Sequence, residues 1–271
     1  FSLFKNALYP LLSKSIILNI SYNKIKEIYS QALLSNQATQ PQIVILCCVI
    51  KPAITWNFNE VARTTIERCG GQGYLACNRL AEGAAFSHSG ITAEGDNSVL
   101  MMKAAKELMT LVAKANEGIL ECKMKNSKES LFAMTQFRCP FMLLDLLKYK
   151  EQIAKDALTD NTKGKMGEGK SIYQIWMIED NELVQEVSKS FSDRIVAQYA
   201  LDEIIKAPQS IQQALLTFYF TFVTSAILTN LHLYLTHGLI GGEGVEYLKS
   251  SFKILLEDVH IIKNYIIFLV K

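Results

Sequence analysis

The sequence predicts an all-α protein made of two packed helical bundles. Apolar residues recur at helical spacing along most of the 271 residues, whereas the alternation typical of strands is nowhere sustained. Prolines and N-cap residues precede several apolar runs, and glycines follow them. We expect residues 1–120 to form the first bundle and residues 121–271 to form a second bundle packed against it.

The chain begins with three apolar stretches, at 1–20, 22–35 and 40–50, separated by short polar breaks. Each stretch predicts a helix. Pro41 and Pro52 stand where helices are expected to start, because proline lacks an amide hydrogen and the first helical turn does not need one.

From Pro52 onwards the apolar residues follow one helix face as far as Cys69. Gly70 then suits a left-handed cap, because glycine adopts positive φ without a steric penalty. The next helix is expected to start at Asp96 or Asn97, both good N-cap residues, and to run to about Gly118.

Three or four long helices are predicted beyond Gly118. They cover residues 127–160, 171–206, 208–236 and 243–270. The segment DNTKGKMGEGK, at 160–170, is rich in turn-forming residues and is interpreted as an exposed linker.

One segment, 207–242, contains no Asp, Glu, Lys or Arg. Its length is sufficient to span a bilayer. Polar residues such as Gln209, Thr217 and Asn230 interrupt it, however, and they favour a helix buried between protein neighbours. Membrane contact is therefore the less favoured alternative.

Composition excludes several classes of protein. The apolar fraction of 49% excludes a disordered chain, and the net charge of +2, with 28 basic and 26 acidic residues interleaved, provides no basic face for nucleic acid. The six cysteines contain no CxxC pair and the four histidines are scattered. Neither a metal site nor a disulfide framework is indicated, and reduced thiols are expected.

The stretch CGGQGY places Gly70, Gly71 and Gly73 within four residues, directly after a predicted helix. One interpretation is a helix cap followed by a tight turn. The other is a backbone that lies against a flat or phosphorylated ligand, because no Cβ atom obstructs the approach. The spacing matches neither the dinucleotide fingerprint nor a P-loop.

The stretch TAEGDNSVLM places Glu94 on a glycine-containing loop just before a helix. A glutamate there can be a cap or a solvated surface charge. It can also be a general base, if an apolar ligand removes water from it and raises its pKa toward neutrality.

Together these motifs resemble a known family. EVARTTIERCGGQGYLACNRL, a spacer and TAEGDNSVLMMKAAKEL resemble the carboxyl-terminal half of acyl-CoA oxidases, relatives of the acyl-CoA dehydrogenases. The similarity in motifs covers about residues 56–110, and the flanking helices match in length and order. The fold that it implies is again two packed helical bundles.

The resemblance implies FAD as cofactor and acyl-CoA as substrate. Glu94 would remove the α-proton of the thioester, and the products would be trans-2-enoyl-CoA and hydrogen peroxide, as in fatty-acid β-oxidation. The glycine loop would hold the ADP part of FAD across a contact with a second subunit. The cofactor-binding residues implied in this way are Gly70, Gly71, Gly73, Tyr74 and Asn97.

Some family features differ or are missing. Met102 stands where many relatives have Gln, and Ala93 stands where many have an aromatic residue. The amino-terminal helical domain and the β-rich domain of the family are not in these 271 residues. This chain is therefore not expected to be active without that missing half.

A second function class stays open. The uncharged run at 207–242 and the apolar end HIIKNYIIFLVK suggest an inactive helical scaffold, derived from an oxidase, in a larger membrane-associated assembly. The resemblance implies a peroxisomal location and the scaffold a mitochondrial one. The chain begins at Phe1 and ends in FLVK, so neither a secretory signal nor a serine-lysine-leucine type of signal can be read from it.

Overall fold

The computed structural model describes residues 2–115 and 140–270, which contain helices and no β-strand. The all-α fold is therefore confirmed. The long helices are α1 (Ser2–Leu34), α2 (Pro41–Arg68), α3 (Leu80–Thr92), α4 (Asn97–Ala115), α5 (Pro140–Gly167), α6 (Asn181–Lys206), α7 (Gln209–Thr229) and α9 (Gly242–Val270), and α8 (Leu231–Thr236) is short. Short helical turns at Gly70–Tyr74 and Ala76–Asn78 join α2 to α3, and others at Ile172–Gln174 and Ile175–Glu179 lie between α5 and α6.

The first helix is continuous where the sequence predicts a break near residue 21. Ser21 lies in its middle and is fully buried. Its hydroxyl donates to the carbonyl oxygens of Ile17, at 2.9 Å, and Val196, at 2.7 Å. The predicted break is wrong because a contact with α6 satisfies the hydroxyl inside the helix.

Pro41 starts α2 as predicted, but Pro52 lies inside that helix and does not start a new one. Val49, Ile50 and Pro52 itself are buried in the core. Burial on both sides of the proline keeps the helix continuous, although proline leaves one carbonyl without its helical amide.

The predicted linker at 160–170 is mostly helical, because α5 continues to Gly167. Contacts with the segment after the turn hold this end of the helix. Trp176 Nε1 donates to Thr162 Oγ1 at 2.8 Å, and Lys165 Nζ donates to Asp180 Oδ1 at 2.8 Å. The linker prediction is wrong because these long-range contacts outweigh the low helix propensity of the segment.

The later helices match the predicted ones with two interruptions. The predicted helix at 171–206 contains the π-helical turn Ile175–Glu179 before α6. The predicted helix at 208–236 is divided into α7 and α8 at Asn230. The final predicted helix, 243–270, corresponds to α9.

Some predicted features lie outside the described residues. They include the end of the helix expected near Gly118, the residues 127–139 of the next helix, and the thiols of Cys122 and Cys139. The boundary between the two bundles at residue 120 also lies there. The division into two domains therefore stays a prediction.

The core of the described ranges is one continuous apolar cluster to which every numbered helix except α3 contributes. Helix α6 lies at its centre and packs against α1, α4, α5 and α7. Ala197, Ala200 and Leu201 of α6 are completely buried. The two predicted halves thus share one core.

The uncharged run at 207–242 forms α7 and α8, and α7 packs against α1, α6 and α9. Thr217, Thr221 and Thr224 on α7 are buried. Both α2 and α7 are long and apolar enough to cross a membrane, with 39% and 50% of their most apolar windows buried here. The packing of α7 agrees with the interpretation as a helix between protein neighbours.

A network of buried charges joins α5 to α6. The ammonium of Lys150, which is 3% exposed, lies 3.2 Å from both Asp193 and Glu186. One residue along, the buried carboxylate of Glu151 contacts Arg194 of α6. Burial lowers the pKa of Lys150, but Asp193 and Glu186 outweigh it and hold the pKa above its ordinary value.

We expect Lys150→Met to lower the free energy of unfolding by about 2 kcal/mol. The variant leaves Asp193 and Glu186 without a cation, and the cost stays below that of a fully buried pair because both carboxylates are partly exposed. Lys148→Met is the matched control, since Lys148 makes an exposed pair with Asp145 and should change stability by less than about 1 kcal/mol. Urea unfolding of the 271-residue chain measures both, and equal midpoints would contradict the prediction.

Candidate functional site

The glycine motif forms the connection between α2 and α3, a helix that the sequence did not predict. Helix α2 ends at Arg68, and Gly70 follows with φ of +54°. The left-handed cap predicted for Gly70 is thus confirmed. The tight turn Gly70–Tyr74 then reverses the chain toward α3.

Gly73 is required by a close approach between backbones. A Cβ atom at this position would lie 2.5 Å from the carbonyl oxygen of Ile66 in the last turns of α2. Asn78 secures the loop from the other side, because its Nδ2 donates to the carbonyl oxygen of Gln72 at 2.8 Å. Gly71 differs, since a Cβ there would meet no atom within 4 Å. Packing therefore explains Gly73 and leaves the backbone of Gly71 open.

Large apolar side chains are exposed on this loop and on the two helices that it joins. Tyr74 is 83% exposed and Phe86 is 70% exposed, and Leu75 is also exposed. The ring of Phe86 packs edge-on against Phe58 of α2, with centroids 6.3 Å apart. We call Phe58, Tyr74, Leu75 and Phe86 the aromatic surface. Exposed apolar side chains of this size are typical of contact sites.

The glutamate motif forms a tight turn between α3 and α4. Glu94 has φ of +59° and Gly95 has φ of +103°. The carboxylate of Asp96 accepts hydrogen bonds from the amides of Ser98, at 2.9 Å, and Val99, at 3.2 Å. Asp96 is therefore the N-cap of α4, one of the two candidates that the sequence indicates.

Glu94 is held in a backbone conformation that costs a non-glycine residue about 1–2 kcal/mol. Its side chain is exposed. Among the residues that the structure describes, no hydrogen-bond or ion-pair partner of its carboxylate is found. The position of this carboxylate is consequently set by the backbone of the turn alone.

The side chain of Lys51, on α2, binds the backbone of that turn. Its Nζ donates to the carbonyl oxygen of Gly95 at 2.6 Å and to that of Ile91 at 3.2 Å. It also donates to Asn97 Oδ1 at 2.9 Å. All three N–H groups of the ammonium can thus be used within one short segment of chain, on both sides of Glu94.

Asn97 is 1% exposed and faces α2. Its Oδ1 accepts from Lys51, and its Nδ2 donates to Thr55 Oγ1 at 2.9 Å. These contacts explain why the sequence needs an amide here. Contact between Asn97 and a cofactor stays a prediction.

The two motifs lie toward opposite ends of α2. The glycine loop contacts α2 at Ile66 and the glutamate turn contacts it at Lys51, fifteen residues earlier. At about 1.5 Å per residue, this separation is about 22 Å along the helix axis. Within this chain the structure therefore does not bring Glu94 and the glycines together, and any ligand that contacts both is extended.

Sequence reasoning missed Lys51. The signal that could have identified it is its isolation, since it is the only charged residue between 41 and 59. A lysine in a stretch of helix with no other charged residue needs partners from another element. Which carbonyl groups supply them depends on the path of the turn, and the sequence alone does not show this.

Comparison with known proteins supports the same family as the motifs. Residues 1–109 match the family model described as acyl-CoA oxidase, C-alpha1 domain. A putative peroxisomal acyl-coenzyme A oxidase 3.2 of Arabidopsis thaliana is 25% identical over 217 residues, which cover 74% of this chain and 30% of that protein. The chain therefore spans only about a third of the length of this curated relative.

Two solved structures share the fold. Acyl-CoA oxidase-1 of Caenorhabditis elegans, crystallised with FAD and ATP, has a TM-score of 0.83 at 15% identity over 96% of this chain and 40% of its own. Acyl-CoA oxidase 3 of Yarrowia lipolytica has a TM-score of 0.80 at 19% identity, with coverage of 96% and 40%. With the family match, they confirm the resemblance to the carboxyl-terminal half of acyl-CoA oxidases.

We expect Gly73→Ala to lower the free energy of unfolding by about 1–3 kcal/mol, because the new methyl group overlaps the Ile66 carbonyl oxygen and the backbone must shift. Gly71→Ala is the matched control, with open space around its Cβ and an expected change within about 0.5 kcal/mol. Thermal unfolding followed by circular dichroism measures both. A stable Gly73→Ala protein would show that the loop is not held against α2.

Proposed function

We propose that this chain is the carboxyl-terminal part of an FAD-dependent acyl-CoA oxidase, because residues 1–109 match the family model and 96% of the chain shares its fold with an acyl-CoA oxidase. The reaction would be α,β-dehydrogenation of acyl-CoA to trans-2-enoyl-CoA in fatty-acid β-oxidation. The observation that carries this proposal is the exposed Glu94 on a turn built by backbone contacts, in a chain that also retains the glycine loop.

The glycine loop fits a flavin nucleotide. The open backbone at Gly71 allows a phosphate or a flat ring to approach closely. Tyr74 exposes its ring on the same loop, where it is free to pack against a ligand. Gly70, Gly71, Gly73 and Tyr74 would hold the ADP part of FAD. When bound, FAD supplies the oxidant that accepts a hydride from the β-carbon and passes the electrons to oxygen, which yields hydrogen peroxide.

Glu94 would act as the general base. The α-proton of a thioester is weakly acidic, so its removal requires a carboxylate close to the carbon and a site from which water is excluded. In this chain the carboxylate is exposed, so the cover must come from the substrate and from the other half of the enzyme. An apolar acyl chain over Glu94 would remove water from the carboxylate and make it a stronger base.

A second subunit would complete the flavin site. The aromatic surface lies beside the glycine loop and leaves Tyr74 and Phe86 largely exposed. A partner covering it would bury apolar area and exclude water from the nucleotide. Self-association of the enzyme is therefore part of this proposal.

The proposed location is the peroxisome. The Arabidopsis relative and human acyl-coenzyme A oxidase 1, which is 23% identical over 209 residues, are both named peroxisomal. The mitochondrial alternative receives no support from these relatives. The scaffold alternative then rests on the apolar end of the chain and on the uncharged α7 and α8 segment, and α7 is packed within the protein.

We expect Glu94→Gln to slow flavin reduction by saturated acyl-CoA at least about a hundredfold in the full-length enzyme. The amide keeps the shape of the side chain but does not accept the α-proton. Binding of acyl-CoA should change much less. Anaerobic rapid mixing measures the bleaching of the flavin and isolates this step from the reaction with oxygen.

The control for Glu94→Gln is Glu82→Gln, which changes an exposed glutamate on α3 and should leave the rate of bleaching unaltered. A bleaching rate in Glu94→Gln equal to that of the unmodified enzyme would end the assignment of Glu94 as the base.

We expect Gly71→Val to reduce FAD occupancy at least about tenfold with little change in helicity. The position has φ suitable for any residue and no neighbouring atoms, so the valine projects outward and obstructs an approaching nucleotide. Gly164→Val, at an open position in α5 far along the chain, is the matched control. Absorbance of bound flavin after gel filtration gives the occupancy. Full flavin occupancy in Gly71→Val would show that the loop is only a turn and does not bind the nucleotide. Absence of flavin even in the unmodified enzyme would favour the scaffold alternative.

A further inference from the structure

We propose that Lys51 is a positioning residue that presets the backbone of Glu94 for removal of the α-proton. This inference rests on the proposed function, because it assigns Lys51 a part in the same site. The ammonium of Lys51 makes no hydrogen bond with the carboxylate of Glu94 in the described part of the chain. Lys51 binds instead the carbonyl oxygens of Ile91 and Gly95, before and after Glu94 in the chain.

The first argument is the arrangement of the acceptors. Ile91 lies three residues before Glu94, and Gly95 directly follows it. Lys51 Nζ donates to both carbonyl oxygens, at 3.2 and 2.6 Å. A charged donor makes such bonds stronger than a neutral one does. One ammonium therefore ties together the two ends of the segment that contains the candidate base.

The second argument is the strain in that segment. Glu94 and Gly95 both have positive φ, and a glutamate gains free energy by returning to the right-handed or extended region. That return would rotate the peptide group whose carbonyl oxygen faces Lys51. The bond from Lys51 to Gly95 thus opposes the relaxation that would redirect the Glu94 side chain.

The third argument is that the charge of Lys51 is directed to this turn. No carboxylate lies within ion-pair distance of its ammonium in the described ranges, and its acceptors are two carbonyl groups and the side-chain amide oxygen of Asn97. A lysine that served only to cap α3 would need the Ile91 carbonyl alone. The Gly95 carbonyl belongs to neither helix, and it is the shortest of the three contacts.

The first test measures the turn directly, without flavin or substrate. In Lys51→Met, which keeps the length of the side chain but has no donor, we expect exchange to accelerate at least about tenfold at the amides of Ala93, Ser98 and Val99, which are hydrogen-bonded at the two ends of the turn. Exchange in α6 should be unchanged. Lys106→Met, at an exposed position on α4, is the control and should leave the turn as protected as before.

The second test measures the effect on the reaction in the full-length enzyme. Flavin reduction by acyl-CoA should slow about ten- to a hundredfold in Lys51→Met, because small errors in position at a reacting group have effects of this size. The dissociation constant for acyl-CoA should change less than about twofold. Lys51→Arg, which retains a charged donor, should recover most of the rate, a rescue that a loss of general stability would not show.

The outcomes separate this inference from the proposed function. Unchanged bleaching in Lys51→Met, while Glu94→Gln is slow, would overturn the positioning role and leave the base assignment intact. Unchanged bleaching in Glu94→Gln would overturn both. Faster exchange in the turn without slower bleaching would make Lys51 purely structural. If Lys51→Met exchanges rapidly throughout and so fails to fold, Lys51→Gln takes its place, and the same rates decide the question.

Discussion

The continuity of α2 through Pro52 is the constraint on which the positions of both motifs depend. A proline inside a helix costs about 3 kcal/mol. Val49 and Ile50 are buried immediately before it, and burial of two such side chains contributes about 1.5–3 kcal/mol each. Packing therefore offsets the proline. If α2 broke at Pro52, Lys51 and Ile66 would no longer lie on one axis, and the distance between the turn and the loop would be undefined.

Helix α6 holds the beginning of α4 from the interior of the protein. Polar residues of α6 satisfy groups on its neighbours: Ser188 donates to the carbonyl oxygen of Met101 at 2.6 Å, and Gln185 Nε2 donates to that of Ser98 at 2.8 Å. These bonds hold the first turn of α4, which begins directly after the glutamate turn. The buried pairing of Glu151 with Arg194 fixes α6 against α5 on the other side. Order at the candidate site thus depends on contacts far along the chain.

In each of the two motifs, this chain holds part of the backbone in place and leaves other groups exposed. In the glycine loop, Gly73 packs against α2, while Gly71 and the aromatic surface remain available for contacts. In the glutamate turn, the backbone is held by Lys51 and Asn97, while the carboxylate is exposed. In both motifs, contacts within the chain hold the backbone and leave the groups that the proposal assigns to cofactor or substrate exposed. This arrangement suits a site that other parts of an enzyme complete.

The amino-acid sequence alone predicts the helical class, the cap at Gly70, the start of α4 and the family resemblance, because these depend on local periodicity, on backbone preferences and on short motifs. Only the tertiary structure decided that α1 continues through Ser21, that α2 continues through Pro52 and that α5 extends to Gly167. In each case distant contacts outweigh a local signal for a break. Lys51 belongs to the same class: its partners are 40 to 46 residues away, and folding alone brings them to its ammonium.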